Sequence, residues 1–503
     1  MKRHNPLPAW YYLLAILLGA SLTLAFAPVD FTPVAFIAPA GLFYLLLRAT
    51  TLKQHLALNY LFALGLFGTG ASWVFYAMYF FSHAYILLAI GFTFIYIVVI
   101  ASLFLLQGSI TYLFRQSTHI IKLFVVFPLA WVIGEFFRGW FLTGFPWLLI
   151  GHSHIDNLLS NSAPVWGALG VSYFSLLISA SLVVVFQKQI KKKFIALATI
   201  LLISTISYTL SFINWVSPTG ESLSVAMIQG NIAQENKWKP EHLRPALDLY
   251  MKKTKEHWDA DLIIWPETAI AGYFREHFED VINPLQKKSL ETQTDLVIGG
   301  FYYNIENDVP STENSILVIN PGDRAIYSKQ HRVPFSEYVP LLKYLHWLDK
   351  WINLPYDNIG KGTGPVNLIV AGQLARLSIC YEDVFGEEII NGLPAAGLLI
   401  NLSNDGWFTG SIEPYQHMQI ARMRALETGR YMLRSTNIGV SGIINHKGKI
   451  ISTAPAYQLA SVTGDAKIYQ GETPYVRLGN WLILLYSFIG LAVAFMIRMR
   501  HVA

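Results

Sequence analysis

The apolar residues of this chain fall into two regimes. Up to Phe212 they form long, nearly unbroken stretches separated by short polar connections: Trp10–Ala27, Pro33–Leu47, His55–Phe81, Ala84–Leu106, Ile121–Phe137, Val165–Phe186 and Phe194–Phe212. Trp481–Ile497 repeats the pattern near the end of the chain. A helix needs about 20 apolar residues to cross hydrocarbon, so these stretches predict eight transmembrane helices, with Pro33–Leu47 the shortest. The first could pass for a signal peptide behind Lys2 and Arg3, but equally apolar successors point to a retained span.

Between these blocks the pattern changes to short apolar runs: Leu223–Ile228, Leu262–Trp265, Leu296–Gly299, Ile316–Ile319, Leu377–Ile379, Leu398–Leu402 and Val440–Ile444. Bounded by turn residues, such runs predict buried strands. Asn320-Pro321-Gly322-Asp323 and Asn445-His446-Lys447-Gly448 predict hairpins, and His417–Leu433 predicts a helix. Strands mixed with helices imply a layered α/β domain. Leu341, Leu342, Leu345, Leu348 and Ile352, with Trp347 and Trp351 between them, predict an amphipathic helix over Pro340–Pro355. It packs on the domain or lies in a bilayer interface. The chain thus divides into a helical bundle over 1–216, an α/β domain over 217–475 and a last span with its tail over 476–503.

Composition agrees with a membrane location. Hydrophobic residues make up 53% of the 503 and charged residues 14%, against roughly 25% charged in soluble chains. Lys2, Arg3, Arg48, Lys53, Arg115, Lys122, Lys188, Lys191, Lys192 and Lys193 fall at the start and in alternate connections, and Arg498 and Arg500 close the chain. The connection at Ser82 and His83 carries no lysine or arginine. By the positive-inside rule both termini are cytoplasmic and the α/β domain lies outside. The net charge of +5 is topology signal, not a nucleic-acid footprint.

Candidate chemistry gathers at strand ends. Cys380, the single cysteine, ends the run Leu377-Ser378-Ile379, where the sheet would hold it while it faces a cleft. Glu267 follows Ile263-Ile264-Trp265-Pro266, and Lys329 follows the first hairpin. A carboxylate, an ammonium and a thiol suffice for acyl transfer: base, oxyanion donor and nucleophile. The residues alone leave other carboxylates and lysines open, and a lone cysteine is as readily an inert core residue. Glu135 and Arg138, one helical turn apart, can pair. With Phe145, Pro146 and Trp147 they form either an interfacial aromatic belt or a wall of the route by which a lipid enters. Trp407 and Phe408 are a second apolar tip. The charged stretch His417, Arg422, Arg424, Glu427, Arg430 and Arg434 reads as salt-bridged scaffold. No histidine has metal-ligand spacing and no glycine-rich phosphate loop is present, so neither a metal nor a nucleotide cofactor is expected.

Trp265-Pro266-Glu267, Lys329 with Val333-Pro334-Phe335, and Cys380-Tyr381-Glu382 resemble, in order, the three signature blocks of the nitrilase superfamily. Thr23 to Pro28, Gly144 to Trp147, Val225 to Ile232, Phe335 to Pro340 and Asn404 to Phe408 narrow the resemblance to the apolipoprotein N-acyltransferases, over essentially the whole chain. The resemblance implies a four-layer α-β-β-α nitrilase-like domain facing the periplasm, on eight transmembrane helices in the bacterial inner membrane. It implies Cys380 as nucleophile, Glu267 as general base and Lys329 as oxyanion donor. Glu337 and Glu382 would support them, and Trp238, Tyr381, Asn404, Trp407 and Phe408 would line the substrate pocket. The implied reaction passes a fatty acyl chain from a phospholipid, typically phosphatidylethanolamine, through a thioester to the α-amine of a diacylglyceryl-cysteine apolipoprotein. A monomer is expected. A membrane-anchored amidase would keep the same triad with water as acceptor. A transporter would need intramembrane charges, and these spans are poor in ionisable residues, with Glu135 near an end.

Overall fold

The computed structural model describes residues 6–81, 85–186, 190–306, 309–338 and 359–502. The chain divides into two compact units, Met1–Phe75 with Leu87–Asn214 and Arg477–Ala503, and Tyr76–Ile86 with Trp215–Val476.

In the first unit every predicted apolar stretch contains helix, but a count of eight spans is not confirmed among the described residues. Among the described residues five helices have the length and apolarity to cross a membrane: Ile86–Leu113, His119–Arg138, Leu158–Val185, Lys192–Leu210 and Trp481–Arg500. Leu52–Gly70 makes a sixth only together with Val74–Phe80, across a bend of 57°. Ala9–Ala25 and Pro33–Arg48 are shorter. The first stretch stops early because Thr23–Ala25 tightens to a 3-10 turn and Phe26 leaves the helical region just ahead of Pro28. Glycines bring helices into backbone contact. A Cβ on Gly19 would lie 1.8 Å from the Phe62 carbonyl oxygen, and one on Gly65 would lie 2.0 Å from that of Ile16. Phe94, Ile95, Leu201, Leu202, Phe488 and Ile489 point outward and exposed, a surface suited to hydrocarbon rather than water.

Among the described residues the second unit is built on two six-stranded sheets. The first contains β1 (Val216–Gln229), β2 (Leu262–Ile264), β3 (Asp295–Glu306), β4 (Val309–Asn320) and β5 (Asp323–Ser328), with β12 (Ala460–Gly471) outside β1. The second runs β6 (Asn367–Val370), β7 (Gln373–Ile379), β8 (Leu398–Ser403), β9 (Tyr431–Thr436), β10 (Gly442–Ile444) and β11 (Ile450–Thr453) in spatial order. Strands β1, β2 and β3 are parallel, as are β7, β8 and β9.

Strand periodicity sorts the side chains into layers. Val225 and Met227 of β1 meet Leu377 and Ile379 of β7 and Leu398, Ile400 and Leu402 of β8 in one buried core between the sheets. The alternate residues Ala226, Ile228, Ile263 and Trp265 face helices on the other side of the first sheet, meeting Leu247, Tyr250 and Leu285. Leu399, Met432 and Ile444 face the helix Glu413–Thr428 through Met418, Ala421 and Ala425. The layers are therefore α-β-β-α. Strands buried on both faces lose polar alternation, which is why they read as continuous apolar runs.

Both predicted hairpins are present, Asn320 pairing with Asp323 between β4 and β5, and Ile444 with Ile450 between β10 and β11. The predicted helix His417–Leu433 is corrected. It ends at Thr428, where Gly429 takes φ 66, a C-terminal stop that favours glycine, and Tyr431–Thr436 is a central strand. The expected helix over Pro340–Pro355 lies outside the described residues.

Candidate active site

Strand ends place the three candidate groups. Glu267 follows β2, Lys329 follows β5 and Cys380 follows β7 directly. Cys380 takes φ 50, a left-handed conformation that side chains rarely adopt. It breaks the strand into the turn Cys380–Val384 and leaves the cysteine half-buried. Asn401 Nδ2 donates to the Cys380 carbonyl at 3.2 Å and to Ser378 Oγ at 3.0 Å, holding the bend from the neighbouring strand.

Asn314 gathers the carboxylates. Its Nδ2 donates to Glu267 Oε1 at 2.8 Å and to Glu337 Oε1 at 3.3 Å. Lys329 Nζ donates to the same Glu337 oxygen at 2.9 Å, and the Val333 amide donates to Glu337 Oε2 at 2.7 Å. Asn314 faces Lys329 across the β4–β5 ladder, with the Lys329 amide on its carbonyl at 2.9 Å. Nothing in the sequence-based reading selected Asn314. Yet the register set by Asn320 and Asp323 at the turn, counted back along both strands, puts it opposite Lys329.

The electrostatics follow from burial. Burial pushes the Cys380 thiol up to about 12; Glu267 adds to the rise and Lys329 opposes it. Burial likewise raises the Glu267 carboxyl above its ordinary range, with Lys329 pulling down and Glu337 pushing up. Burial would discharge Lys329, but the Glu337 and Glu267 carboxylates more than reverse it and hold its charge above the usual lysine range. The resting set is thus a neutral thiol, a carboxylate able to take its proton, and a permanent ammonium.

Glu382 is bound on every side. It accepts from the Tyr327 hydroxyl at 2.6 Å, the Ile379 amide at 2.7 Å, the Gln330 amide at 2.7 Å and the His331 amide at 3.0 Å. That makes it a clamp between the Cys380 turn and the Lys329 segment. Tyr381 packs edge-on against His331 and Phe385. Asn404 is buried, donating to Gln234 and accepting from Asn437. Trp407 and Phe408 are half-buried in the turn that follows Asn404. Trp238 is 37% exposed and stacks on Phe301.

Glu135, Arg138, Phe145, Pro146 and Trp147 belong to the helical unit and not to this cluster. All five are buried. Glu135 accepts from the Trp131 indole and the Ile150 amide, both at 3.0 Å, and Arg138 donates to the carbonyls of Phe145 and Trp147.

The charged stretch after Ile412 forms a buried network near Cys380. His417 Nε2 meets Asp383 at 2.7 Å, and Arg434 joins Asp383 at 3.0 Å, Asp405 at 3.1 Å and Asn401 at 2.7 Å. Arg430 and Arg434 lie beyond the helix, Arg434 on β9 itself. A second unanticipated group is Lys237, buried beside Glu267 with Nζ donating to its backbone carbonyl at 3.1 Å. Its place directly before Trp238 was the available signal.

Two facing sheets with helices outside, carrying a cysteine, a glutamate and a lysine at strand ends, define a carbon–nitrogen hydrolase class of domain. Residues 224–469 match the carbon-nitrogen hydrolase family, and residues 18–181 match the apolipoprotein N-acyltransferase N-terminal domain. An apolipoprotein N-acyltransferase of Methylococcus capsulatus is 37% identical over 93% of this chain and 92% of its own length. One of Coxiella burnetii is 35% identical over 96% and 98%. The chain belongs to the apolipoprotein N-acyltransferase family. Among solved structures, a carbon-nitrogen hydrolase of Helicobacter pylori covers 49% of this chain and 89% of its own at 15% identity and a TM-score of 0.38.

Proposed function

We infer that this protein transfers a fatty acyl chain from a phospholipid to the α-amine of a diacylglyceryl-cysteine apolipoprotein, in two steps through a thioester on Cys380. The observation that carries the reading is the hydrogen-bonded set Glu267–Asn314–Glu337–Lys329 around the half-buried thiol. Glu267 takes the thiol proton as sulfur attacks the ester carbonyl, so no free thiolate has to form in a site that disfavours it. The Lys329 ammonium faces the charge that develops on the carbonyl oxygen. Glu267 returns the proton to the departing glycerol oxygen. An amine then attacks the thioester, and the order lets one site serve two lipid substrates in turn. Family membership supports the acceptor class. The exposed apolar helices of the first unit support a donor drawn from the bilayer, and the phospholipid headgroup is part of the proposal.

Intact mass spectrometry of the protein after exposure to phospholipid micelles tests this. A fatty-acyl increment on the Cys380 peptide, discharged by a diacylglyceryl-cysteine peptide, is expected. Cys380→Ala should stay folded and gain nothing. Turnover by Cys380→Ala, or discharge by water as fast as by the amine, would sink the reading.

A further inference from the structure

The two half-reactions differ in protons. Acylation converts a thiol and an ester into a thioester and an alcohol, and its one mobile proton passes from sulfur through Glu267 to the leaving oxygen. Aminolysis starts from an ammonium, since an α-amine has a pKa of about 7.7–8.0. Forming the C–N bond and breaking the C–S bond removes two protons from that nitrogen. One ends on the Cys380 sulfur and one is released. Glu267 has a single site to carry a proton to sulfur, so the proton that blocks the nitrogen lone pair needs another acceptor.

We propose that Lys237 is that acceptor, a second catalytic base used only in the aminolysis step, in its neutral amine form. The reading rests on the thioester mechanism above. Lys237 ends the short helix Gln234–Lys237, and the Trp238 ring lies 6.0 Å from its Nζ. It is only 5% exposed, and its hydrogen bond goes to the neutral Glu267 carbonyl at 3.1 Å. Lys329, the other buried lysine at the site, is instead bound to the Glu337 carboxylate. One ammonium is therefore locked in its charged form and the other is not. The charged or titratable groups that face Lys237 are Glu267 and Cys380; Lys329 and Glu337 act on Glu267, and Glu235 and Lys239 on its own turn are exposed. Burial lowers Lys237 to about 8, against the opposing pull of Glu267 and Cys380. That matches the α-ammonium it would deprotonate, so the transfer is close to thermoneutral. The captured proton then leaves to water.

The test separates the two steps. Wild-type, Lys237→Arg and Lys237→Met proteins are loaded with phospholipid, and the acyl-enzyme is discharged with a diacylglyceryl-cysteine peptide while intact mass is followed. Arginine keeps the charge and the donor but cannot give up its proton. Methionine, closer to lysine in bulk, reads the same discharge should the longer side chain disturb packing. Acylation should persist in both variants. Discharge should slow about 100-fold near neutral pH, and the deficit should shrink at alkaline pH, where the acceptor amine is already neutral. Discharge at the wild-type rate, a deficit equal at every pH, or an equal loss of acylation would each overturn the proposal. If the wild-type protein never gains acyl mass, the thioester mechanism itself falls, a different and distinguishable result.

Discussion

Lys329 is a buried cation whose charge is maintained by two carboxylates, and the one bonded to it, Glu337, can be neutralised without touching Cys380. Glu337 is 5% exposed and Lys329 1%, so Glu337→Gln leaves an ammonium in a site that burial alone would neutralise. Removing one partner of a buried pair costs about 3–5 kcal/mol. The direction in pH follows from the same forces. Losing Glu337 lowers the Lys329 pKa, so the ammonium discharges sooner as pH rises. Acylation by Glu337→Gln should therefore fail on the alkaline side, at a pH where the wild-type rate is still flat. Stopped-flow acylation against pH checks this; an unchanged alkaline limb would mean Glu337 does not govern the Lys329 charge. The three candidate groups were visible in the sequence, whereas Asn314, which joins Glu267 to Glu337, was not. Cys380, Glu267 and Lys329 stand out by their position after apolar strands and by family signature. Asn314 sits inside a strand as an ordinary polar residue, and only the ladder register gives it meaning.

Among the elements, the turn Cys380–Val384 depends most on a single side chain. The four donors converging on Glu382 come from β5, from β7 and from the segment after Lys329. The Cys380 turn and the Lys329 segment are thereby tied to one carboxylate. Glu382→Gln keeps the volume but turns one acceptor into a donor facing donors, leaving buried amides unpaired at about 1–3 kcal/mol each. The expected outcome is a lower Tm in detergent together with slower acylation and slower discharge alike, since the geometry of both groups loosens. Loss of discharge alone would instead give Glu382 a proton-transfer role. Strands such as Leu262–Ile264 and Leu398–Ser403 were legible because burial on both faces makes them continuously apolar. Tyr431–Thr436 was not, because Arg434, Ser435 and Thr436 break the apolar run and the helix before it hides the boundary at Gly429. Ile450–Thr453 and Ala460–Gly471 were missed for a related reason: their exposed positions dilute the pattern.

At the scale of the whole molecule, the distribution of lysine and arginine predicts which side of a membrane the α/β unit occupies. Each cationic connection resists transfer across hydrocarbon, so cations clustered in alternate loops bias the chain to keep those loops in the cytoplasm. The second, fourth and sixth connections and both ends carry them; the segment from Ser217 to Tyr475 is the seventh connection and does not belong to that set. The acyl acceptor of the proposed reaction must meet Cys380 on that same side, so topology and chemistry stand or fall together. Because Cys380 is the only cysteine, Cys380→Ala provides a background free of thiols in which single cysteines report sidedness. Asp323, at the exposed tip of the β4–β5 hairpin, and Gln116, exposed between the helices Leu105–Leu113 and His119–Ile121, are suitable sites. A membrane-impermeant maleimide added to intact spheroplasts should label Asp323→Cys and spare Gln116→Cys until the membrane is opened. The reverse pattern would put the thiol in the cytoplasm, away from any acceptor exposed on the outer face, and a role in acylating lipoproteins there would be impossible.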